Sequence, residues 1–190
     1  MKTMLRIDHL KAVFNAVSND DHRYYLCGVY VEINATGTTL AATEGHMLLA
    51  AHDKTNTLDE PVKLIIPYHV VKDFKPVRGQ TMVELSTEYN KTWRLGGTLF
   101  QPIVGTYPDW RRVVPQETPL RISIDGVWYD PKFQTAMTKA AKILSDTWTI
   151  YPNGKAPALV RFEKAENIDV IGVIMPMTRN RESFKKPSWA

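Results

Sequence analysis

Cysteine is almost absent: Cys27 is the only one in 190 residues. That excludes an internal disulfide framework and a four-cysteine zinc site, so stability has to come from buried apolar surface, which a chain of this length can supply. Long hydrophobic runs are missing as well. No apolar stretch reaches the roughly 18 residues of a membrane span, and Met1 to Arg6 lacks the apolar segment of a signal peptide. A cytoplasmic protein without membrane attachment is expected. Charge of one sign is also scarce, with 24 Lys and Arg against 20 Asp and Glu and a formal balance of +4. Such an excess permits a nucleic-acid or acidic partner without demanding one.

Catalytic groupings are the last absence. Cys27 has no neighbouring nucleophile motif, and His9, His22, His46, His52 and His69 show no metal-ligand spacing. Glu44 and Asp109 form no recognisable acid/base pair, and no phosphate-binding glycine loop occurs. The expectation is a binding protein, not an enzyme, with neither cofactor nor metal.

What is present is a repeating pattern of short elements. Leu10, Val13, Phe14 and Val17 share one side of a helix that Asp8 is placed to cap. Tyr24 to Ile33 alternates as a strand, with Val29, Val31 and Ile33 on one face and Tyr30 and Glu32 on the other. Strands at Thr39 to Thr43 and Met47 to His52 follow. The pattern recurs with a strand at Val62 to Ile66, a helix from Pro67 through Lys75, and strands at Met82 to Ser86 and Thr92 to Val104. Pro102, Pro108, Pro115 and Pro119 then punctuate a stretch that suits a linker. Beyond it, a strand at Arg121 to Tyr129, a helix at Pro131 to Leu144 and strands at Thr147 to Tyr151, Ala158 to Glu163 and Asp169 to Met175 complete a third module. Three units of about 60 residues make a structural repeat without sequence identity.

The helices of the second and third modules divide apolar from cationic faces. Phe133, Met137, Ala140 and Leu144 form one stripe, with Lys132, Lys139 and Lys142 on the other side; Val70, Val71 and Phe74 turn inward while Lys72 and Lys75 stay outside. For one helix alone this is a solvated face; its recurrence points to a nucleic-acid surface.

Four segments carry a family resemblance. They are Asp21-His22-Arg23-Tyr24-Tyr25-Leu26-Cys27-Gly28-Val29, Ala42-Thr43-Glu44-Gly45-His46-Met47-Leu48, Tyr107-Pro108-Asp109-Trp110-Arg111-Arg112-Val113-Val114-Pro115 and Val173-Ile174-Met175-Pro176-Met177. In order and spacing the chain resembles the bacterial DNA polymerase III β sliding clamp, in a shortened form. The first three segments resemble the family's middle domain and the fourth its C-terminal strand. The resemblance implies an α+β DNA clamp fold, with repeated strand-helix-strand modules, antiparallel sheets outside and helices lining the inner face. It implies a complete clamp domain over residues 1–117, half a domain over 118–178 and a basic tail over 179–190.

It also implies function. A ring that slides needs diffuse cations facing its hole, without base readout. Lys72, Lys75, Lys132, Lys139 and Lys142 suit that role, and by resemblance Arg23, Tyr24 and Tyr25 lie on a loop near the DNA channel. The alternative for the tyrosines is one packed in the sheet and one bland surface residue. A second implied site is a hydrophobic cleft for peptides of polymerases and other clamp-binding proteins. Carried over, its wall is Leu26, Thr43, Gly45, His46 and Leu48, with Pro115 and then Val173, Met175, Pro176 and Met177. Met47 stands where the family usually has Arg, which makes the rim less cationic. An apolar core strand at Val173 to Met177 is the competing reading.

Half a domain leaves a sheet edge and a core flank uncovered, so self-association is expected. Two lone modules pairing isologously give a dimer, and four chains of three modules give the twelve of a normal ring. Expected partners are therefore double-stranded DNA, a DNA polymerase and other clients, and further copies of the chain, with a clamp loader left open. The rival is a non-ring regulator that sequesters clamp-binding proteins or caps a host clamp.

Overall fold

The computed structural model of the chain describes residues 1–87, 92–116, 127–163 and 170–178. The first module consists of strand β1 (Lys2–Arg6), helix α1 (Ile7–Phe14) and the antiparallel strands β2 (Gly28–Asn34), β3 (Gly37–Thr43) and β4 (Met47–Asp53). The second repeats that order with β5 (Val62–Pro67), α2 (Tyr68–Asp73), β6 (Met82–Thr87), β7 (Trp93–Leu95) and β8 (Thr98–Phe100). The third has β9 (Val127–Trp128), α3 (Pro131–Leu144), β10 (Trp148–Asn153), β11 (Ala156–Phe162) and β12 (Val170–Ile174), followed by β13 (Met177–Thr178).

The first two modules complete each other by exchanging strands. β1 pairs antiparallel with β6, placing Leu5 opposite Val83, while β5 pairs with β2, placing Ile66 opposite Val29. The first strand of each module thus joins the sheet of the other. One sheet runs β1-β6-β7-β8. The other has seven strands, in the order β10-β11-β12-β4-β3-β2-β5, because β12 pairs with β4 and fuses the third module to the first.

Alternation explains the layering. Val29, Val31 and Ile33 point to the helices and are fully buried, and Leu49, Val160 and Ile174 join them in a core that includes Val13 and Met137. Gly172 in β12 makes room for α3, since a β-carbon there would come within 2.9 Å of the Met137 sulfur. On the opposite face of the large sheet, Ala41, Leu48, Ala50 and Val173 pack with Trp110.

Several boundaries differ from the sequence reading. α1 begins at Ile7, so Asp8 lies inside its first turn and accepts from Arg6 instead of capping the helix. Strand β1 precedes it, where no element was expected. Residues 21–26 form a 3₁₀ turn ahead of β2, and the expected strand at Thr92 to Val104 is a short hairpin turning at Gly96-Gly97. Up to residue 116, where the described part ends, the proline-punctuated stretch packs on the sheet as a wall: Trp110 is buried, and Arg111 donates to Glu32 of β2 at 2.8 Å. Most of the expected strand at Arg121 to Tyr129, and the tail from Arg179, lie outside the described residues.

Candidate functional site

The outer face of the large sheet carries a cleft of about 210 Å³ where β3, β4 and β12 meet. Thr43 pairs with Leu48, and Leu48 with Val173, so these three side chains emerge on one face of neighbouring strands and form the floor. Leu26, at the end of the 3₁₀ turn, closes one side. Pro108, Asp109, Trp110 and Val113 close the other.

The rim is held by a compact network. Glu44 accepts from the backbone N–H of His46 at 2.6 Å and of Met47 at 3.0 Å, and Thr43 Oγ1 donates to the Met47 carbonyl at 2.6 Å. Gly45 adopts φ +106, a conformation that favours glycine, and its bare α-carbon is covered by the Arg23 guanidinium. Arg23 is oriented in turn by Asp20, which its Nε reaches at 3.0 Å. Met175 N donates to the His46 carbonyl at 2.7 Å, tying the exit of β12 to the same turn. A fixed, mostly apolar slot of this kind suits an apolar anchor on a short peptide, because little order has to be imposed on binding.

The second wall is anchored by chemistry. Arg111 lies 4.6 Å over the Trp110 ring while its Nη2 reaches Glu32, and Lys63 Nζ stands 3.4 Å from the same carboxylate. Tyr107 stacks on Tyr30 with centroids 4.8 Å apart. Burial pushes the Tyr107 phenol well above its ordinary value, so it stays neutral. A larger groove of about 730 Å³ lies on the far side of Tyr107, between β5 and residues 101–107.

Of the residues expected at the peptide cleft, Leu26, Thr43, Gly45, His46, Met47, Leu48, Val173 and Met175 line this one cavity. Pro115, Pro176 and Met177 are not among its lining residues. Pro115 follows the 3₁₀ turn Trp110–Val113, Pro176 lies between β12 and β13, and Met177 pairs with Trp128 in the small β13·β9 ladder. The Met47 side chain points into the helix-side core. Pro108, Asp109, Trp110 and Val113 went unassigned, although the Tyr107 to Pro115 segment pointed to them: its first proline, not its last, reaches the cleft.

The cationic candidates divide into two groups. Lys72, Lys75, Lys132, Lys139 and Lys142 are all exposed on or beside α2 and α3. Lys72 lies 5.4 Å over Tyr68, and Lys132 lies 5.7 Å over Phe133. Arg23 sits at the cleft rim, and Tyr24 meets Tyr25 edge-on at 5.7 Å beside Gly105. His46 stacks against Phe133 at 6.0 Å, which places the start of α3 next to the cleft rim. Among the described residues, no group of His, Cys, Asp and Glu could hold a metal ion, and no helix is long and apolar enough to cross a membrane.

Comparison with known proteins agrees with this architecture. A family model described as the central domain of the DNA polymerase III beta subunit matches residues 3–109. The beta sliding clamp of Vibrio cholerae is 29% identical over 108 residues, which is 54% of this chain and 30% of that protein. The Borrelia burgdorferi DNA polymerase III subunit beta superposes with a TM-score of 0.71 at 16% identity, covering 95% of this chain and 63% of the other. The Bacillus subtilis sliding clamp does so with 0.71 at 15%, covering 95% and 65%. The chain thus spans less than two thirds of each of these relatives. With the family model matching more than half of its length and the clamp fold reproduced across nearly all of it, this chain belongs to the DNA polymerase III beta subunit, or sliding clamp, family.

Proposed function

We propose that the chain acts as a sliding-clamp-like replication processivity factor, without catalysis of its own, working on DNA in the cytoplasm. Copies close into a ring around duplex DNA and tether a polymerase or repair protein through the cleft of Leu26, Leu48 and Val173. The observation that carries this reading is the large sheet: one face holds the apolar slot while α3, on the other, presents Lys139 and Lys142 to solvent. Cations on rigid helices attract phosphate without fixing a register, the condition for sliding. In this reading residues 1–117 are a whole clamp domain and 118–178 half of one. Four chains then supply the modules of a ring, with β8 and its exposed Leu99 as the edge that meets the next copy. Loading by a dedicated loader is compatible with this arrangement.

A second reading needs only the cleft: a non-ring regulator that occupies clamp-binding peptides or caps a clamp. Both need the cleft, so the first test is direct. A fluorescent peptide from the clamp-binding segment of a replicative polymerase should bind, and Val173→Asp should weaken it at least about tenfold by placing an unpaired charge in an apolar floor. Equal binding by the variant would remove the cleft from either reading.

A further inference from the structure

The third module has the same parts as the first two, but among the described residues it shows no exchange of the kind that completes them. In the first pair, the residue just before each helix pairs with the residue just before the first core-facing position of the other module's second strand: Arg6 with Met82, and Pro67 with Gly28. The next pairs, Leu5 with Val83 and Ile66 with Val29, are buried. In the third module, Asp130 precedes α3, and Trp148 is the first core-facing residue of β10, preceded by Thr147. The outer edge of β10 has no strand partner among the described residues. Trp148 and Ile150 stay half-buried where their counterparts Val29, Val31, Val83 and Leu85 are sealed. Trp128 is 57% exposed and Ile143 is 41% exposed on the same module. β13 takes one edge of β9 and leaves the other.

We infer that a second copy of this chain covers that flank through a two-fold strand exchange, with β9 of each chain pairing antiparallel with β10 of the other. The template fixes the register: Asp130 faces Thr147 of the second copy, Tyr129 faces Trp148, Trp128 faces Thr149, and Val127 faces Ile150. Tyr129, Trp148 and Ile150 already pack against the core from one side, and the exchange covers their other side. The seven-stranded sheet then continues across the joint instead of ending at an edge with no strand partner among the described residues. This deepens the proposed self-association by naming its joint, and it rests on that reading only for the ring, not for the pairing.

The test uses the full chain with Cys27→Ser and two exposed substitutions, Trp128→Cys and Thr149→Cys. Their directly paired positions lie within disulfide reach between chains. Mild oxidation should give a covalent dimer closed by two bonds and no longer ladder. A control pair, Trp128→Cys with Lys155→Cys at the β10·β11 hairpin turn, should cross-link far more slowly. Equal rates for both pairs, a ladder of higher polymers, or a chain that stays monomeric would overturn the exchange. A protein retained on closed circular DNA without the 128–149 cross-link would overturn this joint and leave the clamp reading standing. The cross-link without such retention would keep the joint and remove the ring.

Discussion

Gly45, at the cleft rim, and Asp53, at the opposite end of β4, show how single residues hold the turns at the two ends of one strand. At φ +106, Gly45→Ala is strained, and its new methyl must displace the Arg23 guanidinium. A loss of about 1 kcal/mol and weaker peptide binding are expected in thermal melts and anisotropy. At the far end of β4, burial opposes ionisation of Asp53, but hydrogen bonds from Thr55 and Asn56 outweigh it and hold its pKa below the usual 3.8. Because the folded value is depressed, the stabilisation is present above the unfolded value and is lost as pH falls through the folded one. Acid titration should show wild type losing stability below about pH 4, with Asp53→Asn flattening that limb. Leu26, Thr43 and Gly45-His46, which line the cleft, lie in segments that carry the family resemblance; without it, residue pattern alone favoured a core strand at Val173 to Met177. The choice of lining proline was not legible even so. Pro108 and Pro115 look alike in sequence, and only the packing of Trp110 under Arg111 shows which one reaches the slot.

Elements were legible where local signals agree with tertiary demand. α3 announces itself by Asp130, which accepts from Lys132 N at 2.8 Å, by Pro131 in the first turn and by its apolar stripe. β2 does so by alternation. β1 was missed because Lys2 to Arg6 is short and ends directly in a helix, and its strand character comes from β6, eighty residues away. The fusion of β12 to β4 is likewise a long-range fact that no local pattern records. α3 ends at Ser145, a non-glycine residue at φ +55 that donates its N–H to the last turn. Ser145→Gly should therefore stabilise the protein by about 0.5–1 kcal/mol, a rise of a few degrees in Tm. On the same helix, Lys139→Glu with Lys142→Glu should weaken duplex binding and reduce the slope of log affinity against log salt by about one per lysine that faces phosphate. An unchanged slope would place these lysines away from DNA.

At the scale of the whole molecule, the described residues form three modules. Two of them exchange first strands, the third is fused to the first through β12·β4, and the outer edge of β10 has no strand partner among the described residues. The sequence showed three repeats and the charged helices. It could not show that β9 and β10 lack the exchange, because that is a property of pairing rather than of composition. If copies of this chain encircle duplex DNA, topology alone holds them there, and the test is retention of the protein on a closed circular plasmid in high salt, before and after the circle is cut once. Protein should stay with the closed circle and be released from the linear product; equal retention on both, or loss from both, would rule out encirclement.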